Sequence, residues 1–140
     1  MGAGRHLRWT IVCAGMIPAA GVAAQTEAML KRLEGAWVPD GSRCQDVFFR
    51  QGTSINFKRP GARTRDGIVI AGKRMRDPSN SCTITRVNET GEARTLLLAC
   101  LSGLLVGRIA FSIRFQDDDT IVRTLNDFPD EQATFRRCRP

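Results

Sequence analysis

Few residues in this chain are able to do chemistry. Its one histidine, His6, stands in an N-terminal stretch that reads as a cleaved leader, and the chain has no tyrosine. Without histidine neither a Ser-His-Asp nor a Cys-His unit can be assembled, and no imidazole is present to bind a metal. The remaining acid–base groups are carboxylates. Glu34, Asp40, Asp46, Glu89 and Glu92 are scattered near turns, and nothing in their spacing pairs two of them as a glycosidase requires. Asp117-Asp118-Asp119 is the densest acidic cluster. A calcium loop needs alternating ligands and a glycine, so three consecutive acids between strands read as a solvated turn. No catalytic residue, metal ligand or cofactor is assigned, and an enzyme is the disfavoured class.

The cysteines carry the next signal. Arg5, His6 and Arg8 precede the apolar run "WTIVCAGMIPAAGVAA", which is too short to span a bilayer as a stable helix. Val22-Ala23-Ala24 places small residues where a signal peptidase cuts. Residues 1–24 are therefore expected to be a signal peptide. Residues 25–140 are expected to be a single periplasmic domain with no membrane span in the mature form. Cys13 would leave with the leader. Cys44, Cys82, Cys100 and Cys138 remain, and an even count in an exported domain of this size reads as two disulfides. None lies in a C-x-x-C pair, so neither a redox motif nor a zinc knuckle is suggested. Cys82 and Cys100 are equidistant from Gly91. In a hairpin centred on that glycine Cys82 faces Cys100, Ile84 faces Leu98 and Arg86 faces Leu96, which brings the two thiols within bonding reach. Cys44 and Cys138 are left for each other and would join the ends of the chain.

The elements that must position these residues follow from periodicity. "TEAMLKRLEGAW" suggests a short helix with Ala28, Met29, Leu30 and Leu33 on one face, Thr26 as N-cap and Gly35 as its stop. Thereafter the pattern is short runs of period two between turn residues. Strands are expected around residues 36–38, 45–50, 54–58, 67–71, 82–88, 94–101, 107–115, 120–125 and 132–138. The clearest is "RIAFSIRF", with Ile109, Phe111, Ile113 and Phe115 on one face and Arg108, Ala110, Ser112 and Arg114 on the other. The expected fold is all-β, an antiparallel barrel or sandwich of eight or so strands with a short N-terminal helix and two disulfides.

The net charge is +7, and +5 once Arg5 and Arg8 are removed. "FKRPGARTRDG" and "AGKRMRDP" hold Arg63, Arg65, Lys73, Arg74 and Arg76 in what read as loops at the two ends of one strand. They are candidate anion-binding residues for an envelope polymer or lipid, or plain solvated charge. Nucleic acid is not expected, because the compartment is wrong and few aromatics interleave the basic residues.

Gly35-Ala36-Trp37 has the spacing of the Gly-x-Trp signature of lipocalin-like barrels. The resemblance implies that the tryptophan closes the bottom of the barrel and that an arginine of the last strand, Arg136 or Arg137, packs over it. Otherwise Trp37 is a core aromatic under a turn. Taken together, "LEGAWVPDGSRCQDVF", "KRPG", "AGKRMRDPSNSC", "TLLLAC", "IRFQDDDTIVR" and "FRRC" resemble a group of small periplasmic proteins of alphaproteobacteria over most of Leu33 to Cys138. In broad design the chain is also similar to periplasmic lysozyme inhibitors, disulfide-bonded β-barrels that insert a loop into a hydrolase cleft. Ser102-Gly103 in "SGLLVG" resembles the Ser-Gly loop of one such family, although its tyrosine does not follow here. That resemblance implies a peptidoglycan-hydrolase inhibitor or modulator with Ser102, Gly103 and Leu104 as partner-binding residues. The positive charge opposes docking on a basic lysozyme, an objection that does not apply to a lytic transglycosylase of the host, which need not be basic. The alternative is a binder of an anionic envelope component through the basic loops.

Overall fold

The computed structural model describes residues 20–58 and 67–139. Its elements are α1 (Ala20–Leu33), β1 (Gly35–Pro39), α2 (Cys44–Val47), β2 (Phe48–Gln51), β3 (Ser54–Phe57), β4 (Ile68–Ala71), β5 (Arg74–Arg76), β6 (Ser81–Thr90), β7 (Ala93–Ser102), β8 (Leu105–Phe115), β9 (Thr120–Leu125) and β10 (Phe128–Cys138). Eight strands form a closed antiparallel barrel in the order β1-β10-β9-β8-β7-β6-β5-β4. Closure comes from β1, which pairs with β10 on one side and β4 on the other. The barrel excludes the β2–β3 hairpin, a separate two-stranded sheet.

The residue pattern accounts for this division. Ala36, Trp37 and Val38 are all buried, so β1 is covered on both faces. Trp37 joins the barrel interior with Ile70, Leu96, Leu98, Ile113 and Phe135, capped by Met29, Leu30 and Leu33 of α1. Ala36 and Val38 point outward and pack beneath Val47 and Phe48, with Ile55 and Phe57 alongside. The β2–β3 hairpin therefore lies as a flap over the outer face of β1. Gly67, at the entry to β4, is needed there: a Cβ would stand 2.5 Å from Val47 Cγ1.

Both expected disulfides are present, Cys82–Cys100 and Cys44–Cys138. The register around the first differs from expectation at one residue. Cys82 faces Cys100 and Ile84 faces Leu98, but Arg86 faces Leu97 and Val87 faces Leu96. The turn residues are Gly91 and Glu92, since Thr90 pairs with Ala93. The hairpin centre thus falls half a residue past Gly91, and β6 must absorb one extra residue. It does so in a bulge at Thr85, whose hydroxyl donates to Leu97 O at 3.0 Å. The physical gain is direct: the bulge turns Arg86 outward and puts Val87 against the core, avoiding a buried unpaired guanidinium.

Other expectations need correction. Gln45, Asp46 and Val47, read as strand, form the helical turn α2 that carries Cys44 toward Cys138. Residues 74–76, read as loop, are the barrel strand β5, with Met75 inside. Thr26 is not an N-cap, because α1 begins at Ala20. Ala28 is exposed, while Met29, Leu30 and Leu33 are buried. On β8, Phe111 and Ile113 are buried, but Ile109 is 41% exposed because β9 does not reach it. Among the described residues no helix is long and apolar enough to cross a membrane.

Candidate functional site

The barrel has two unlike ends. At one end α1 plugs the barrel, and the turns β4–β5, β6–β7 and β8–β9 gather around it. Gly72 N donates to Glu34 Oε1 at 3.1 Å, and Arg32 pairs with Asp118 at 2.8 Å. At the other end lie the β7–β8 and β9–β10 turns.

The plugged end is held by Trp37 and Arg137. Trp37 is fully buried, and its indole Nε1 donates to Leu33 O at 2.9 Å. The Arg137 guanidinium lies 4.2 Å from the Trp37 ring centroid. It donates to Glu34 O, to Arg32 O at 2.7 Å and to Asp118 O at 3.0 Å. One side chain thereby satisfies carbonyls at the C-terminus of α1 and ties them to the β8–β9 turn. Gly35 makes room for it: φ is +128°, and a Cβ would meet Arg137 Nη1 at 3.1 Å. Arg136, the other candidate, points outward to Asp40 at 3.0 Å. The arrangement implied by the Gly-x-Trp resemblance is thus present, with Arg137 in the role.

The carboxylates of the β8–β9 turn at this end are engaged in ion pairs and hydrogen bonds. Asp118 pairs with Arg32, and Asp119 with Arg139 at 2.6 Å and Arg137 at 3.3 Å. Asp117 Oδ1 accepts from Asp119 N at 2.8 Å, shaping the turn. Among the described residues no group of three or more His, Cys, Asp or Glu is placed to hold a metal.

The open end carries Ser102, Gly103 and Leu104. Ser102 pairs with Leu105, and Gly103 and Leu104 form the turn between them. Gly103 has φ +61° and, among the described residues, no non-glycine residue has positive φ, the arrangement of a type II′ hairpin. The tip projects. On one side β6 ends beside Leu101, and on the other β9 pairs with β8 only as far as Phe111. Leu104 is fully exposed, and Leu105 and Val106 are each 76% exposed. The Cys82–Cys100 bridge anchors this hairpin, since Cys100 stands two residues before Ser102 on β7.

Lys73, Arg74 and Arg76 do not join this tip. Lys73 sits in the β4–β5 turn at the plugged end, and Arg74 is exposed on β5. Arg76 is committed to structure, donating to Ile55 O at 3.1 Å and so fixing the β2–β3 flap to the barrel. Arg63 and Arg65 lie outside the described residues. Sequence reasoning missed the apolar surface around the tip, formed by Leu101, Leu105, Val106, Ile109 and Phe128. A signal existed in "CLSGLLVGRI", where apolar residues continue across the turn without alternation.

Comparison of the chain with protein-family models, curated proteins and solved structures finds no match.

Proposed function

We propose that the chain is a non-enzymatic periplasmic binding protein that engages its partner with the β7–β8 tip. Its most concrete form is an inhibitor or modulator of peptidoglycan hydrolases that occludes the cleft with Ser102, Gly103 and Leu104. The observation that carries this reading is a fully exposed leucine at the apex of a hairpin projecting past its neighbours. A tight turn and a disulfide two residues from the tip hold that hairpin. An apolar anchor on a pre-organised support loses little conformational entropy on docking, which favours insertion into a concave site. The residue inventory supports the absence of catalysis, with no tyrosine anywhere and no histidine beyond His6.

The test is a cell-wall lysis assay with the oxidised protein titrated against lytic transglycosylases of its host and against an unrelated lysozyme. The expected result is saturable inhibition near equimolar protein. Leu104→Asp should lower the inhibitory potency at least about tenfold, in line with loss of an interface anchor, while leaving the melting temperature unchanged. No inhibition at large excess would sink the hydrolase reading for those enzymes. Binding to envelope polymer that fell steeply with salt and with charge removal at Lys73 and Arg74 would transfer the assignment to the basic residues.

A further inference from the structure

The outer half of β8 is an open sheet edge. β8 pairs with β7 along its length from Leu105 to Ile113, but with β9 only over Phe111–Phe115. Ala110 O accepts from Asn126 N at 3.4 Å, and that contact ends the covered portion. In an antiparallel strand both main-chain groups of a residue point to one side, and successive residues alternate. Ala110 points toward β9, so Arg108 and Val106 also point away from β7. Their N–H and C=O groups meet no strand among the described residues.

Soluble proteins blunt such edges with lysine, proline, bulges or a covering segment. This edge reads Leu105-Val106-Gly107-Arg108-Ile109, with one charge and no proline. Four of the exposed large apolar side chains, Leu104, Leu105, Val106 and Ile109, lie on it or at its tip, and a fifth, Phe128, follows the β9–β10 turn that caps it.

We infer that this edge pairs with the same edge of a second copy of the chain, antiparallel, about a two-fold axis at Gly107. The register follows by elimination. An axis at Arg108 would set that guanidinium opposite itself and place Val106 against Ala110, whose carbonyl is already bonded to Asn126. An axis at Val106 would need Leu104, a turn residue, to serve as strand. An axis at Gly107 sets Val106 opposite Arg108 of the second copy in a hydrogen-bonded pair, twice, and so satisfies the main-chain groups of both residues. It also sets Leu105 against Ile109 on one face. Glycine at the axis lets the backbones approach at a close, non-hydrogen-bonded position. Each tip then lies beside the β9–β10 turn of the other copy, where Phe128 is 58% exposed. The inference does not depend on the identity of any target.

The experiment is sedimentation velocity of the purified, oxidised protein over a wide concentration range, for the wild type and three variants. The wild type should show a reversible monomer–dimer equilibrium. Val106→Glu places an acid opposite Arg108 twice and should tighten the dimer about tenfold, whereas Val106→Lys places a like charge there and should weaken it about tenfold. Arg108→Pro removes an N–H that faces the open edge and spares the β7 ladder, so it should leave a folded monomer. A wild type that stays monomeric at every concentration overturns the inference. So does a dimer on which the two Val106 substitutions act alike.

Discussion

Replacing Arg137 with alanine should be among the most damaging single changes to a charged side chain in this protein. The guanidinium is only 18% exposed and donates to the carbonyls of Arg32, Glu34 and Asp118 while lying over Trp37. Each hydrogen bond from a charged donor contributes about 1.5–3 kcal/mol when its acceptor would otherwise go unpaired. The ring contact adds about 1 kcal/mol. Water will reach part of the vacated space and recover some of this. Arg137→Ala should therefore cost about 3–5 kcal/mol, a large share of a domain stability of about 5–15 kcal/mol. The companion substitution Arg136→Ala removes an ion pair whose partners are 55% and 68% exposed, and should cost no more than about 1 kcal/mol. Urea unfolding followed by the fluorescence of Trp37 compares the two under identical conditions. Arg137→Lys should recover less than half of the loss, because an ammonium cannot reproduce the planar fork that reaches three carbonyls. Equal destabilisation by Arg136→Ala and Arg137→Ala, or an Arg137→Ala within about 1 kcal/mol of wild type, would refute the reasoning, since either would remove the assigned difference.

The disulfides should be unequal. Opening Cys44–Cys138, which spans 94 residues, should cost somewhat under about 5 kcal/mol, against about 3 kcal/mol for Cys82–Cys100, which spans 18. Unfolding curves of the paired serine variants measure the difference. Gly35→Ala should destabilise by about 1–3 kcal/mol, because φ is +128° and the new Cβ would press on Arg137. In an Arg137→Ala background the steric part of that cost should vanish, and a double-mutant cycle reads the coupling.

Much of the architecture was legible because its causes are local. Ile113 and Phe111 are buried and Arg114 and Arg108 are exposed, as strand alternation requires. β5 was not legible: three residues, two of them arginines, give too short a period-two signal, and only Met75 faces the core. α2 was misread because the apolar run Val47-Phe48-Phe49 reads as strand and draws in the residues before it, while the need to bring Cys44 within 5.6 Å of Cys138 is a tertiary demand. The candidate site was half legible. Ser102, Gly103 and Leu104 do form one tight tip. The grouping of Lys73, Arg74 and Arg76 into loops did not survive, because Arg74 and Arg76 belong to a strand and Arg76 has a structural bond.

By itself the amino-acid sequence determined the all-β class, the N-terminal helix before Gly35 and the pairing of Cys82 with Cys100. Each rests on spacing along the chain, and spacing is what a sequence records. The tertiary structure alone decided the closure of β1 onto both β4 and β10, the bulge that turns Arg86 outward, the choice of Arg137 over Arg136, and the open edge of β8. These depend on how far neighbouring strands extend and on which face they cover. Such quantities are set by the balance of packing across the barrel and have no counterpart in local periodicity.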